Sequence, residues 1–188
     1  FVDEQGELVT PAEFIGPAER FNLMPTVDRW VVDHALELLA SRTGAGCGDR
    51  GCRMLINLSG SSIGDETFPD YVAECFDRRR VPPSAVGFEL TETAVVRDLL
   101  HARTFMQALG GLGCRFALDD FGSGMSSFAY LRALPVHLLK VDGSFVREMV
   151  ADELARAIVE AVHRVAHAVG LETVAECVED EQTLALVR

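Results

Sequence analysis

Two kinds of hydrophobic pattern alternate along the chain. Short apolar runs are separated by longer segments in which apolar residues recur at helical spacing. The short runs predict strands, and each is bounded by residues typical of turns. The predicted strands cover residues 53–59, 85–92, 115–120, 137–142 and 171–176.

The longer segments predict helices. Thr10, Pro11 and Glu13 form a capping box with proline at the first helical position, so a helix begins there. Gly170 is suited to end a long amphipathic helix as its C-terminal cap. The other helices are predicted over residues 27–41, 68–79, 98–112, 126–134 and 152–169, with one more beginning at about residue 180.

Short apolar strands that alternate with helices predict parallel βαβ units, with strands buried on both faces. The 188 residues contain no linker, low-complexity segment or sequence repeat beyond this rhythm. A chain of this length is enough for one substantial core. The pattern therefore predicts a single α/β domain over residues 1–188.

Polar side chains stand at the carboxyl end of every predicted strand. In a parallel barrel these ends converge on one face, whereas an open doubly wound sheet spreads them along an edge. The regular recurrence of such residues favours the barrel. The residues are Asn57, Glu89, Asp119 with Asp120, Lys140 and Glu176.

This set of side chains has a clear chemical preference. Carboxylates and an amide oxygen, without thiolate or imidazole, suit hard divalent ions such as Mg²⁺ or Mn²⁺. Adjacent Asp119 and Asp120 can hold two ions, which activate a water and clamp the oxygens of a phosphoryl displacement. Lys140 can orient or help deprotonate that water and neutralise developing charge.

A single acid at a strand end is more often a helix cap or the partner of a buried arginine. Asp142 and Glu179 fit that structural interpretation. The same interpretation is strained for the whole set, because each of the charges would need its own local partner. The set is therefore interpreted as functional.

Composition narrows the function further. The net charge of −12 argues against a general DNA or RNA binder, although a small phosphorylated ligand stays possible if cations are bound. The odd number of cysteines suits a reducing compartment, and Cys47 with Cys52 gives only a weak zinc signal.

No apolar run reaches the roughly 18 residues that a membrane span needs. Without a signal-like leader, a cytoplasmic location is the expectation, including the cytoplasmic part of a membrane-attached protein.

The motifs at these positions closely resemble those of bacterial EAL domains, the cyclic di-GMP phosphodiesterases. The resemblance extends in family order over nearly the whole length. The matching segments are VTPAEFIGPAE (9–19), INLSG (56–60), FELTET (88–93), ALDDFGSGMSS (117–127), LLKVDGSFV (138–146) and ETVAECVED (172–180).

The resemblance implies a modified (β/α)8 TIM-like barrel that hydrolyses cyclic di-GMP to linear pGpG. It implies that Lys140 activates water and that Glu92 holds the loop after Asp120. That loop includes Gly122, Ser123 and Gly124, which let the backbone wrap closely around metal and substrate. The metal ligands implied are Asn57, Glu89, Asp119, Asp120 and Glu176, with Asp142 and Glu179 as further acids lining the site.

The sequence also departs from the family pattern. The Glu-Ala-Leu motif of the first strand, whose glutamate is a metal ligand, is expected just before Phe1, and the last strand is expected after Arg188. We interpret the lack of these two segments as truncation of the sequence, which predicts an incomplete barrel with exposed strand edges. Met125 and Cys177 replace residues that are more usual in the family.

Three functions remain open from the sequence. An active phosphodiesterase is favoured, because every internal motif position keeps a competent residue. A non-catalytic cyclic di-GMP receptor or regulatory module is the main alternative, and an enolase-like lyase is a weaker third. The family further implies a homodimer and an attached sensory or diguanylate cyclase-like domain.

Overall fold

The structure is a computed structural model that describes residues 2, 5–42, 54–123 and 128–188. Two of the sequence-based interpretations lie outside the described residues. They are the weak zinc signal at Cys47 and Cys52 and the part of the predicted active-site loop that contains Gly124.

The described residues form one sheet of five parallel strands in chain order. Parallel strands that follow each other in order, each joined to the next by helices, build the wall of a TIM-like barrel, whereas a doubly wound sheet reverses its order. Here the wall is an open arc, so the expected incomplete barrel is confirmed. The strands are β1 (Met54–Asn57), β2 (Val86–Thr91), β3 (Arg115–Phe121), β4 (Leu138–Val141) and β5 (Glu172–Ala175).

Nine α-helices precede, connect and follow these strands in the described part of the chain, along with two short 3₁₀ helices at Pro83–Ala85 and Phe128–Ala133. The capping box predicted at Thr10 and Glu13 is present. The helices are α1 (Pro11–Arg20), α2 (Met24–Arg42), α3 (Gly60–Ile63), α4 (Phe68–Arg79), α5 (Glu92–Arg97), α6 (Leu99–Leu112), α7 (Gly143–Glu148), α8 (Glu153–Ala168) and α9 (Glu181–Leu186).

The predicted elements differ from the observed ones mainly at the carboxyl ends of strands. Glu92 was predicted to end a strand, but it begins α5, because the Thr91 hydroxyl accepts from the Ala94 N–H and caps a helix there. Likewise, Asp142 caps α7 instead of ending β4. The short helices α3, α5 and α7 were not predicted, since one or two turns carry too little periodicity to detect.

The outer face of the sheet carries the hydrophobic core. Phe88, Leu90, Phe116, Leu118 and Leu139 are almost completely buried there. They pack with apolar residues of the surrounding helices in one continuous cluster. Burial of such side chains contributes roughly 1.5–3 kcal/mol each, so this face is a major source of hydrophobic stabilisation.

The inner face carries the polar residues. Residues in register on neighbouring parallel strands point to the same side of the sheet, and the register aligns Asn57, Glu89 and Ala117. Near the amino ends of the strands this face borders a cavity of about 240 Å³. A Cβ at Gly87 would lie 2.5 Å from Cδ2 of Leu55, so a larger residue there would require the Leu55 side chain to move.

None of the helices in the described ranges is long and apolar enough to cross a membrane.

Candidate active site

The predicted polar residues meet at the carboxyl edge of the sheet. Asn57 ends β1 in register with Glu89 of β2, and Thr91 of β2 is in register with Asp119 of β3. Lys140 lies on β4, and Glu176 directly follows β5. The sheet therefore delivers these side chains to one end of its inner face.

Lys140 lies at the centre of this group. Its Nζ is 2.7 Å from Oε2 of Glu89, 2.9 Å from Oδ1 of Asp119 and 2.8 Å from Oε1 of Glu176. The lysine side chain is only 14% exposed, so these ion pairs are sheltered from water. One ammonium thus joins carboxylates carried by β2, by β3 and by the end of β5.

A bulge in β3 brings two consecutive acids into the same site. Leu118 and Phe121 pair with Leu139 and Val141 of β4, so β3 has one residue more than β4 over this stretch. Asp120 has a φ of 53°, a left-handed conformation that aspartate tolerates. Oxygen atoms of Asp119, Asp120 and Glu176 consequently lie within 4.8 Å of one another, although adjacent residues of a regular strand point to opposite faces.

The charges in this group shift the pKa values of its members. Burial raises the pKa of Asp120, and the neighbouring carboxylates of Asp119, Asp142 and Glu176 raise it further. Burial opposes the charged form of Lys140, but hydrogen bonds to Glu176, Glu89 and Asp119 outweigh it and raise the lysine pKa. The ammonium is therefore held charged while the acids repel one another.

Glu92 anchors the loop that follows the two aspartates. This buried carboxylate accepts a hydrogen bond of 3.0 Å from the Gly122 N–H and one of 2.6 Å from the Tyr130 hydroxyl. Gly122 has a φ of 99°, which favours glycine. Tyr130 was missed by the sequence analysis, because a tyrosine in a short apolar segment carries no signal of its own. The arrangement fixes both ends of the loop on one carboxylate.

Ser123 and Asp142 form the next part of the loop region. The Ser123 hydroxyl donates to the backbone oxygen of Asp120 over 2.8 Å. The Asp142 carboxylate accepts from the Ser144 N–H over 2.7 Å and caps α7. Burial raises the pKa of Asp142, but hydrogen bonds from Ser144 and Ser123 outweigh burial and lower it. Asp142 therefore combines a capping contact with proximity to Asp120.

Glu179 and Asn57 are less closely integrated. Glu179 is exposed before α9 and is not among the acids whose oxygens gather with those of Asp119 and Asp120. Asn57 is also exposed, and its place beside Glu89 follows from strand register.

Asp28 supports the loop that follows Asn57, and the sequence analysis missed it. This buried carboxylate accepts hydrogen bonds from the Ser59 N–H, the Ser59 hydroxyl and the Ser62 hydroxyl, at 2.9, 2.6 and 2.7 Å. It joins α2 to the turn after β1. An aspartate within an amphipathic helix usually faces solvent, so no local pattern distinguishes Asp28 from a surface residue.

The side chains in the site fit a hard divalent cation. Glu89, Asp119, Asp120 and Glu176 provide four carboxylates around one ammonium, so negative charge remains uncompensated. Clustered carboxylate oxygens are the ligands that Mg²⁺ and Mn²⁺ prefer. The acidic cluster can therefore hold divalent metal.

Comparison with known proteins defines the family. The EAL domain family matches residues 1–188. The chain is 39% identical over 182 residues to the cyclic di-GMP phosphodiesterase PdeB of Shewanella oneidensis, covering 95% of this chain and 21% of that protein. It is 34% identical over 179 residues to the cyclic di-GMP phosphodiesterase PdeF of Escherichia coli, covering 95% and 24%. The chain thus spans less than a quarter of the length of these two relatives.

Solved structures of the same kind share the fold. The PaMucR phosphodiesterase in complex with c-di-GMP superposes with a TM-score of 0.92 at 30% identity, covering all of this chain and 75% of that one. The FimX EAL domain of Pseudomonas aeruginosa bound to c-di-GMP gives a TM-score of 0.89 at 27% identity, covering 100% and 74%. The chain belongs to the EAL domain family, whose members have a TIM-like barrel. Membership in this family excludes the enolase-like alternative.

Proposed function

We propose that residues 1–188 form a single EAL-type domain that hydrolyses cyclic di-GMP to linear pGpG with the help of two Mg²⁺ or Mn²⁺ ions. The observation that carries this proposal is the group of four carboxylates around Lys140, beside the bulge that aims Asp119 and Asp120 into one site. Two relatives at 39% and 34% identity are cyclic di-GMP phosphodiesterases, which supports the same substrate.

The residues that would hold the ions all present oxygen atoms. When bound, two divalent ions lower the pKa of a water and neutralise charge on the phosphate. Asp119 and Asp120 are suited to contribute to both ions because the bulge turns both inward. The ligands we propose are Asn57, Glu89, Asp119, Asp120 and Glu176.

Lys140 acts on the attacking water in this proposal. The three N–H groups of the ammonium face Glu89, Asp119 and Glu176, and one that exchanges its carboxylate for a water would donate a hydrogen bond that sets the water's direction of attack. The same charge stabilises the negative charge that develops on the phosphoryl oxygens. Glu176 contributes to the step by keeping the ammonium in place.

The loop after Asp120 shapes the substrate side of the site. Glu92 holds the Gly122 N–H, so it sets the path of the chain just beyond Asp120. Gly122, Ser123 and Gly124 would contact the substrate through this loop. Asp142 and Glu179 are proposed as acids lining its rim, with Asp142 nearer the centre because it influences the charge of Asp120.

The proposal is tested by incubating the purified protein with cyclic di-GMP and following nucleotides by chromatography. We expect pGpG to form with Mg²⁺ or Mn²⁺ and to stop when EDTA is added. Lys140→Met should still bind the nucleotide but convert it much more slowly. If cyclic di-GMP binds but is not turned over with either ion, the proposed enzyme activity would be rejected in favour of the alternative function, a cyclic di-GMP receptor.

The wider context of the domain is also proposed from the family. Since PdeB and PdeF are much longer than this chain, an attached sensory or diguanylate cyclase-like domain is expected. A homodimer and a cytoplasmic location remain predictions. Analytical ultracentrifugation of the purified protein tests the first.

A further inference from the structure

A pair of histidines stands on α8, away from the acidic cluster. His163 and His167 are separated by one helical turn and are both exposed. Their ring centroids are 4.3 Å apart with the rings tilted by 45°. Two imidazoles at positions i and i+4 face the same direction, which is the spacing at which one metal ion can be shared.

One of the two rings is already held in an orientation suited to a ligand. Nδ1 of His163 lies 2.8 Å from the hydroxyl oxygen of Thr173 on β5. Within the described residues, no hydrogen bond engages Nε2 of His163 or either nitrogen of His167. Metal-binding histidines typically use one nitrogen for such a supporting hydrogen bond and the other for the metal.

A groove lies beside these two rings. It lies among α8, β5 and α9 and has a volume of about 770 Å³. Glu160, one turn before His163, lines it with a carboxylate, whereas the carboxylate of Glu172 is paired with the Arg115 guanidinium at 2.8 Å. The groove therefore gives an ion and its water ligands access to the two exposed rings.

We propose that His163 and His167 form a binding site for a transition-metal ion that prefers imidazole ligands, with Zn²⁺ the favoured ion. This site is distinct from the acidic cluster in chemistry and in position. Its ligands are nitrogen atoms, which suit Zn²⁺, Ni²⁺ and Cu²⁺ better than Mg²⁺. Thr173 lies on the outer face of β5, because its neighbour Val174 is in register with Lys140 of the inner face.

Binding would strengthen a specific contact of the fold. His163 already connects α8 to Thr173 of β5, and an ion shared with His167 fixes that ring in its hydrogen-bonded orientation. β5 leads directly into Glu176. A ligand that binds the folded state alone raises the temperature of unfolding, so Zn²⁺ should do so here.

The test is calorimetric titration of the purified protein with ZnCl₂ in excess Mg²⁺, which keeps the acidic cluster filled. We expect one Zn²⁺ site, and we expect His163→Ala and His167→Ala each to lower its affinity by at least about tenfold. Thr173→Val should lower it by up to about tenfold, since only the supporting hydrogen bond is lost. Circular dichroism confirms that each variant is folded.

His34→Ala is the matched control. His34 is also an exposed helical histidine, but its ring stacks on Trp30 and its Nδ1 contacts the Trp30 backbone oxygen instead of a second histidine. Its loss should leave Zn²⁺ binding unchanged. Three outcomes would each overturn the proposal. The His163→Ala/His167→Ala double variant could bind Zn²⁺ as well as the parent, or binding could be lost only in Asp119→Asn. The third is that the parent protein shows no Zn²⁺ binding below about 100 μM. None of these outcomes depends on phosphodiesterase activity.

Discussion

Two clusters of charge in this molecule have opposite compositions. On the surface, Asp33 and Glu37 of α2 meet Arg78 and Arg79 of α4, two acids against two bases at 2.9 to 3.4 Å. At the carboxyl edge of the sheet, four acids meet Lys140 alone. The first cluster is neutral by itself, whereas the second requires further positive charge.

The pKa values reflect this difference. A hydrogen bond from Arg79 is the largest influence on Asp33, and with Arg78 it lowers the Asp33 pKa to about 2 although partial burial opposes it. The pKa of Asp120 moves the other way, raised first by burial and then by its acidic neighbours. Charges that stabilise a fold are neutralised locally, whereas charges that bind a ligand are left partly uncompensated until it arrives.

Removing Lys140, the only ammonium in the cluster at the carboxyl edge of the sheet, should have the largest effect on turnover. We expect Lys140→Met to lower kcat by about 10²–10³-fold, the usual cost of losing one preorganised donor. Metal affinity should not fall, because the carboxylates lose a competing cation. Turnover and Mn²⁺ binding are measured on the same preparation. Full activity in this variant would remove Lys140 from the mechanism, and weakened Mn²⁺ binding would show that it organises the ligands.

Neutralising Asp120 should lower turnover but raise stability in the absence of metal. Asparagine keeps the shape of aspartate and tolerates a positive φ, so Asp120→Asn should preserve the bulge. Metal affinity and turnover should fall, because a neutral amide binds hard cations less well. Without metal, the variant should be about 0.5–2 kcal/mol more stable than the parent, since repulsion is relieved. Urea unfolding in EDTA measures this difference in stability. A less stable Asp120→Asn variant would contradict the inference that the acidic cluster carries uncompensated negative charge.

Disturbing the loop anchor should have an intermediate effect. Glu92→Ala removes the acceptor of both Gly122 and Tyr130, so we expect kcat/KM to fall by about 10–100-fold through misplacement of the loop. Tyr130→Phe keeps the Gly122 contact and is the matched control, with a smaller expected loss. Steady-state kinetics on both variants, together with Mn²⁺ titration, distinguish misplacement from loss of metal. Equal losses in the two variants would assign the effect to Tyr130.

The balanced cluster should give the smallest effect, confined to stability. Asp33→Asn should lower the thermal midpoint by about 2–4 °C at neutral pH and leave turnover unchanged. Because the folded pKa of Asp33 lies near 2, below its unfolded value of 3.8, its contribution is complete above pH 3.8 and disappears as the pH falls through 2. Thermal scans from pH 7 to pH 2 test whether the two proteins converge. A constant difference would exclude the ionised carboxylate as its source.

Much of this organisation could be predicted from local sequence. The strand and helix order follows from periodicity, and α4 was predicted at its observed bounds. The convergence of Glu89, Asp119, Lys140 and Glu176 follows from parallel strands placing their carboxyl ends together. These features depend on residue type and spacing, which a sequence displays directly.

Other features depend on contacts between distant residues. The hydroxyl of Tyr130 reaches Glu92 across 38 positions, and Asp28 reaches Ser62 across 34. Nothing near either residue in sequence indicates its partner. The short helix α5 was also missed, since its capping hydrogen bond distinguishes it from the end of a strand only in three dimensions.

The single extra residue in β3 has a consequence for transferring this chemistry to another protein. Grafting the dipeptide Asp-Asp onto an ordinary strand would send one carboxylate into the host's hydrophobic layer, where it could reach no shared ion. The unit to transplant is therefore the backbone irregularity together with its acids. A search for comparable centres among parallel sheets should begin with irregular strand pairing and only then consider residue identity.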